Sequence, residues 1–97
     1  MIKFQVDYVY EKSWAGLITC YPLAEPETFE INSKKEFRKL LPHFRSRKKE
    51  LVNCTADFGF MTKVNCNKYI FTIIEPKPME ITAVSWFEEV LDKLLSK

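Results

Sequence analysis

EPETFEIN, residues 25–32, returns fifty positions later as EPKPMEIT, residues 75–82. The correspondence extends both ways without a gap. Asp7-Tyr8-Val9-Tyr10 falls on Asp57-Phe58-Gly59-Phe60, and Tyr21 and Leu23 fall on Phe71 and Ile73. Phe37, Leu40, Leu41 and Phe44 fall on Phe87, Val90, Leu91 and Leu94. Only eight positions are identical, so what repeats is the apolar pattern. A register that stays fixed through strands and helix alike points to an internal duplication. The copies span about 1–47 and 51–97 of a single 97-residue domain.

Each copy reads as two strands and a helix. In the first strand Ile2, Phe4, Val6, Tyr8 and Tyr10 alternate with polar residues, the pattern of a half-buried strand. Its counterpart places Val52, Cys54, Ala56, Phe58 and Phe60 inward. Second strands follow at about 17–23 and 68–75, and NCNK at 65–68 has the composition of a hairpin turn. Glu-Pro then breaks the strand, and TFEI or PMEI runs extended into a helix. Ser33 with Glu36 three residues on is a capping box for the first helix. Pro42 removes a backbone donor and disfavours helix at Leu41, so this helix is expected to end or kink near 41. The second runs from after Thr82 to about Leu95. The fold class is therefore α+β: a pseudo-symmetric duplicated ββα unit, with a mostly antiparallel sheet and two helices packed on one face.

Composition bounds the chemistry. The net charge is +2, but it is unevenly spread. Residues 33–50 hold eight Lys or Arg against two Glu, a net of +6, which leaves −4 for the rest of the chain. Three cysteines, Cys20, Cys54 and Cys66, form no CxxC pair, and His43 is the sole histidine. This is too little for a disulfide framework or a zinc site and fits buried free thiols in a reducing compartment. In strand register Cys54 is expected to be buried, and Cys66, in the turn, exposed. No run approaches the roughly 18 apolar residues of a membrane span, and the alternating N-terminus is unlike a signal peptide. The expected location is the cytoplasm, with no membrane contact.

Catalytic motifs are not evident. A nucleophile–base pair would depend on His43 alone, no GxSxG elbow is present, and two glycines cannot build a phosphate-cradling loop. Asp7 and Asp57 are equivalent by the repeat and could meet as a carboxylate pair, although outward strand positions in water account for both. Glu25 and Glu75 read as loop residues. No enzyme activity, cofactor or metal is expected.

Binding is left, and the two copies differ where it would be added. Lys34, Lys35, Arg38 and Lys39 on the first helix align with Val84, Ser85, Glu88 and Glu89 on the second. HFRSRKKE, residues 43–50, then adds Arg45, Arg47, Lys48 and Lys49. The expected site is this basic segment, namely Lys35, Arg38, Lys39, Arg45, Arg47, Lys48 and Lys49, with an apolar helix flank at Val84 and Trp86. Tryptophan is a frequent interface anchor, and Trp14 in a loop is a weaker one. The expected function is that of a small non-enzymatic binding protein. It would occupy the acidic face of a partner protein stoichiometrically, in the manner of an inhibitor, immunity or counter-defence protein. The alternative is direct nucleic-acid binding through residues 34–49, with His43 and Phe44 stacking on bases. A homodimer through Val84 and Trp86 is a further option.

Overall fold

Phe4 is the hub of the structure. In the computed structural model, which describes residues 1–57 and 59–95, its ring lies within 5.1–6.3 Å of those of Phe29, Phe37, Phe44, Phe71 and Phe87. The chain runs β1 (Ile2–Trp14), β2 (Leu17–Pro22), β3 (Glu27–Ile31), α1 (Lys34–Glu50), β4 (Cys54–Asp57), β5 (Met61–Val64), β6 (Lys68–Glu75), β7 (Met79–Ile81) and α2 (Val84–Leu95). It is an α+β fold. An antiparallel sheet carries the apolar face that both helices cover, since Ile2, Phe4, Val6, Phe71, Ile73 and Ile81 are buried together with Phe37, Phe44, Phe87 and Leu91.

The central strand β1 keeps the expected alternation as far as Tyr8. Beyond it Val9 is buried and Tyr10 half-buried, so Tyr10 does not join the inward row. One edge of β1 carries β3 opposite Ile2–Val6 and β2 opposite Val9–Trp14. The Leu23 amide donates to the Tyr8 carbonyl at 2.9 Å between them. Thus β2 and β3 act as one long strand, interrupted at Glu25-Pro26. The other edge of β1 carries β6, with Phe4 opposite Ile73, and β7 folds back on β6.

The strand pairing does not follow the fifty-residue correspondence. β4, which aligns with β1, pairs only with β5 in a separate two-stranded ribbon. The place beside β1 goes to β6, whose Tyr69, Phe71 and Ile73 offer more apolar area than Cys54 and Ala56. Of the expected inward row, Ala56 is buried and Cys54 half-buried, whereas Val52 and Phe60 are exposed. Phe58 lies outside the described residues. Nor is NCNK a hairpin turn. The Asn67 side chain takes the place of a strand neighbour. Its Oδ1 accepts from the Glu11 amide at 2.7 Å and its Nδ2 donates to the Glu11 carbonyl at 2.9 Å. The Cys66 amide donates to the Leu51 carbonyl at 2.8 Å, and this docking buries Cys66, which the turn reading had exposed.

The first helix begins as expected: the Glu36 amide donates to Ser33 Oγ at 3.2 Å, and the Glu36 carboxylate accepts the Asn32 amide. It does not end near 41. α1 continues through Pro42 for 17 residues to Glu50, so HFRSRKKE is its last two turns and not a connector. An interior proline costs about 3 kcal/mol. Phe44 offsets it. The ring is fully buried, with Phe29 and Phe71 each 5.5 Å away and Phe4, Phe37 and Tyr69 within 6.3 Å. Burying a phenylalanine contributes roughly 1.5–3 kcal/mol, and favourable ring pairs add roughly 0.5–1.5 kcal/mol each. Ending the helix at Leu41 would forfeit all of it.

Two substitutions check this balance. Pro42→Ala restores an amide donor to the Arg38 carbonyl and is expected to stabilise the protein by about 1 kcal/mol or more. Phe44→Ala is expected to destabilise it by about 3–5 kcal/mol. Urea unfolding of both variants measures the two values. A Pro42→Ala protein less stable than the parent would show that the helix does not run unbroken through this position.

Candidate functional site

The opposite charges of the two helices meet. Lys34 Nζ lies 3.1 Å from Asp92 and Arg38 Nε 3.3 Å from Glu88. Between these bridges Phe37 stacks on Phe87, ring centroids 4.4 Å apart and planes 19° from parallel. The pairings make the helices antiparallel neighbours and account for part of a charge contrast that the sequence alone does not explain. Arg38, expected as a partner contact, is therefore engaged within the fold. Solvent-exposed bridges of this kind contribute about 0–1 kcal/mol each.

Each turn forward along α1 is a turn back along α2, so α2 starts, at Val84, roughly level with Pro42. Past that level α1 has no helical neighbour. There Arg45, Lys48 and Lys49 border a groove of about 530 Å³ whose remaining lining is Val52, Cys66 and Tyr69. This falls in the range of roughly 300–1,000 Å³ typical of ligand clefts. Among the described residues, no Asp or Glu lines it. Lys48 Nζ sits 6.0 Å from the centre of the Tyr69 ring, within cation–π range. Cations in the last turn also complement the helix dipole, a contribution of about 0.3–1 kcal/mol, which by itself requires no ligand.

The other expected site residues are dispersed. Arg47 turns away from the groove: it bridges Glu50 at 3.2 Å, and its guanidinium lies 5.7 Å from the centre of the Tyr8 ring. Lys35 and Lys39 are exposed on the outer face of α1. Val84 is half-buried against the core, while Trp86 is 47% exposed. Val52, Cys66 and Tyr69 were not singled out as site residues. Tyr69 was open to discovery, since it alternates with Phe71 and Ile73, but Val52 and Cys66 carry no motif. A second apolar surface is the tip of the β1–β2 hairpin, where Trp14 and Leu17 flank a two-residue turn. Ala15 and Gly16 both have positive φ there, and Trp14, Leu17 and Ile18 are exposed.

His43 does not face the groove. Its Nε2 lies 3.0 and 3.1 Å from the two Glu27 oxygens, and Tyr8 Oη donates to the same carboxylate at 2.6 Å. Burial, with Glu27 as neighbour, pushes the Tyr8 phenol far above its ordinary value, so it stays a donor. Burial alone would raise Glu27, but the hydrogen bonds from Tyr8 and His43 and the charges of His43 and Arg47 hold it below the usual carboxylate range. The cluster pins α1 to β3 and β1. Residues 7 and 57 belong to different sheets, on β1 and β4, and the Asp7 carboxylate accepts from Gln5 Nε2 at 3.2 Å. Among the described residues no group of His, Cys, Asp and Glu could hold a metal, and no helix is long and apolar enough to cross a membrane. Comparison with protein-family models, curated proteins and solved structures finds no match for this chain.

Glu27 gives the fold a pH dependence of known sign. A carboxylate whose folded pKa is lowered contributes stability above its unfolded value, near 4.3, and loses it as pH falls through the folded value. The stability gap between the parent and Glu27→Gln is therefore expected at pH 7 and should shrink as pH drops below about 4. Urea midpoints at several pH values measure it, and a pH-independent gap would mean that the charge on Glu27 is not what matters. For the thiols, burial pushes the Cys66 pKa up and shields its sulfur. Under a thiol reagent Cys66 should be the last of the three to react, accelerating only with denaturant. Mass spectrometry of partly labelled protein reads the order directly.

Proposed function

We propose that this protein is a small non-catalytic binding protein that occupies the acidic face of a partner protein stoichiometrically, in the manner of an inhibitor, immunity or counter-defence protein of the cytoplasm. One observation carries the reading: Arg45, Lys48 and Lys49 converge on a groove lined, among the described residues, by no carboxylate. The same helix satisfies Lys34 and Arg38 with Asp92 and Glu88. Charges that lie beyond the reach of α2, with no ion pair among the described residues, suit an external partner, and they accelerate association more than they stabilise a fold. Lys35 and Lys39 extend the positive surface along α1, and Trp86 is the secondary apolar contact.

The internal duplication belongs to the same reading. We infer that residues 1–47 and 51–97 are two copies at a spacing of fifty, most visible where β3–α1 aligns with β7–α2. Phe37 against Phe87 and Arg38 against Glu88 support it, since both are contacts between positions fifty residues apart. An experimental structure in which these two units do not superpose would remove this part of the reading.

Arg45→Ser/Lys48→Ser/Lys49→Ser tests the binding. Its melting temperature should stay close to the parent's, because Arg45 and Lys49 are exposed and the half-buried Lys48 makes no ion pair among the described residues. Parent and variant are compared as bait in untreated and nuclease-treated extract of the source cells, at low and high salt. Retention of a protein in a one-to-one ratio by the parent, and its loss from the variant and at high salt, is the expected result. Equal capture by the variant would dismiss the groove. Capture that disappears with nuclease treatment would instead favour the direct nucleic-acid reading.

A further inference from the structure

We infer that the groove at the end of α1 receives a short extended peptide segment in which one large apolar side chain stands between two acidic ones. This rests on the binding reading above and narrows it, from an acidic face to an acidic linear segment with an apolar anchor. The groove is two-sided in its chemistry. All three cations, Arg45, Lys48 and Lys49, come from α1. The apolar lining comes from elsewhere: Val52 after the helix, Cys66 before β6, and Tyr69 on β6.

The spacing of the cations selects an extended chain. Positions 45 and 49 are four residues apart on a helix, about 6 Å along its axis. In an extended peptide, side chains two residues apart point the same way and are separated by about 6.5 Å. Acidic residues at i and i+2 can therefore both face the α1 wall. The residue between them then points to the opposite side, where Val52, Cys66 and Tyr69 wait. A bare phosphate chain would satisfy the cations and leave the apolar lining unused. A purely apolar peptide would leave three cations beside it without counter-charge. A segment of the pattern Glu-Phe-Glu uses both walls.

Three probes test this by fluorescence anisotropy: labelled Ser-Glu-Phe-Glu-Ser, the same peptide with Ser in place of Phe, and a short oligo-dT. The Phe-centred peptide should bind about tenfold or more tightly than the Ser-centred one, as burial of an aromatic side chain implies. Its affinity should fall with salt and be lost in Arg45→Ser/Lys48→Ser/Lys49→Ser. Tyr69→Ala tests the apolar wall. It should reduce binding of the Phe-centred peptide toward that of the Ser-centred one, with circular dichroism verifying that the variant is folded. Equal binding of the two peptides would overturn the apolar anchor while leaving a basic docking surface in place. Tighter binding of oligo-dT than of the Phe-centred peptide would overturn the peptide assignment. If the Phe-centred peptide does not bind at millimolar concentration the inference fails. If, in addition, the triple variant captures as the parent does, the docking surface fails with it.

Discussion

The burial of Phe44 is the constraint on which the rest depends. Its ring is fully enclosed by Phe29, Phe71 and their neighbours and can reach that place only from a helix that has passed Pro42. Continuing the helix forgoes one backbone hydrogen bond, and the aromatic contacts exceed that loss. The consequence reaches beyond the core. Once Phe44 is held, the following residues keep helical geometry and Arg45, Lys48 and Lys49 are fixed on a rigid element rather than scattered along a loop. A proline that seems to release a basic tail is instead bridged by packing, and the tail becomes one wall of a groove.

The positive charge of α1 then separates into two populations with different physics. Lys34 and Arg38 face Asp92 and Glu88 and orient the helix pair around the Phe37–Phe87 stack. The stack supplies most of the stability, because apolar burial outweighs exposed ion pairs by several-fold. The bridges act mainly on register, since sliding the helices by a turn would keep only one of the two opposite-charge pairings. Arg45, Lys48 and Lys49 lie beyond the reach of α2, which has 12 residues against 17 in α1. Neither a charge count nor a helical wheel separates these groups. Only the relative lengths and the antiparallel placement of the helices do so.

What was legible in the sequence was local and periodic. The alternation in Ile2–Tyr8, the β6 run, the Ser33–Glu36 cap and the apolar stripe of α2 all describe the structure, because each is decided by neighbours within a few residues. What was not legible depended on competition between distant segments. Cys54 and Ala56 alternate as well as Phe71 and Ile73 do, but the strand beside β1 is decided by the larger apolar area, and β4 is excluded. Asn67 looked like a turn residue because asparagine favours turns. Its amide instead imitates a strand neighbour for Glu11, fifty-six positions away. Of the candidate site, the cationic wall could be read in advance, whereas the apolar wall could not, since it forms only when residues 52, 66 and 69 are drawn together.

The arrangement also keeps the groove lining apart from the contacts that pin the fold. The described core is apolar, no buried side-chain polar atom among the described residues lacks a partner, and the pinning cluster of Tyr8, Glu27 and His43 lies against β1 and β3, outside the groove lining. The groove therefore borrows one rigid wall from α1 and an apolar lining from β6 and its approach, while its cations contribute little to holding either. Arg45 and Lys49 are exposed and can vary with modest effect on stability, while Lys48 is half-buried over Tyr69. Tyr69 is bound by a stricter condition, because its ring also lies 6.1 Å from that of Phe44 and 5.5 Å from that of Phe71. The charged side of the groove is thus free to change, while its apolar side is tied to the ring cluster that holds the helix through Pro42.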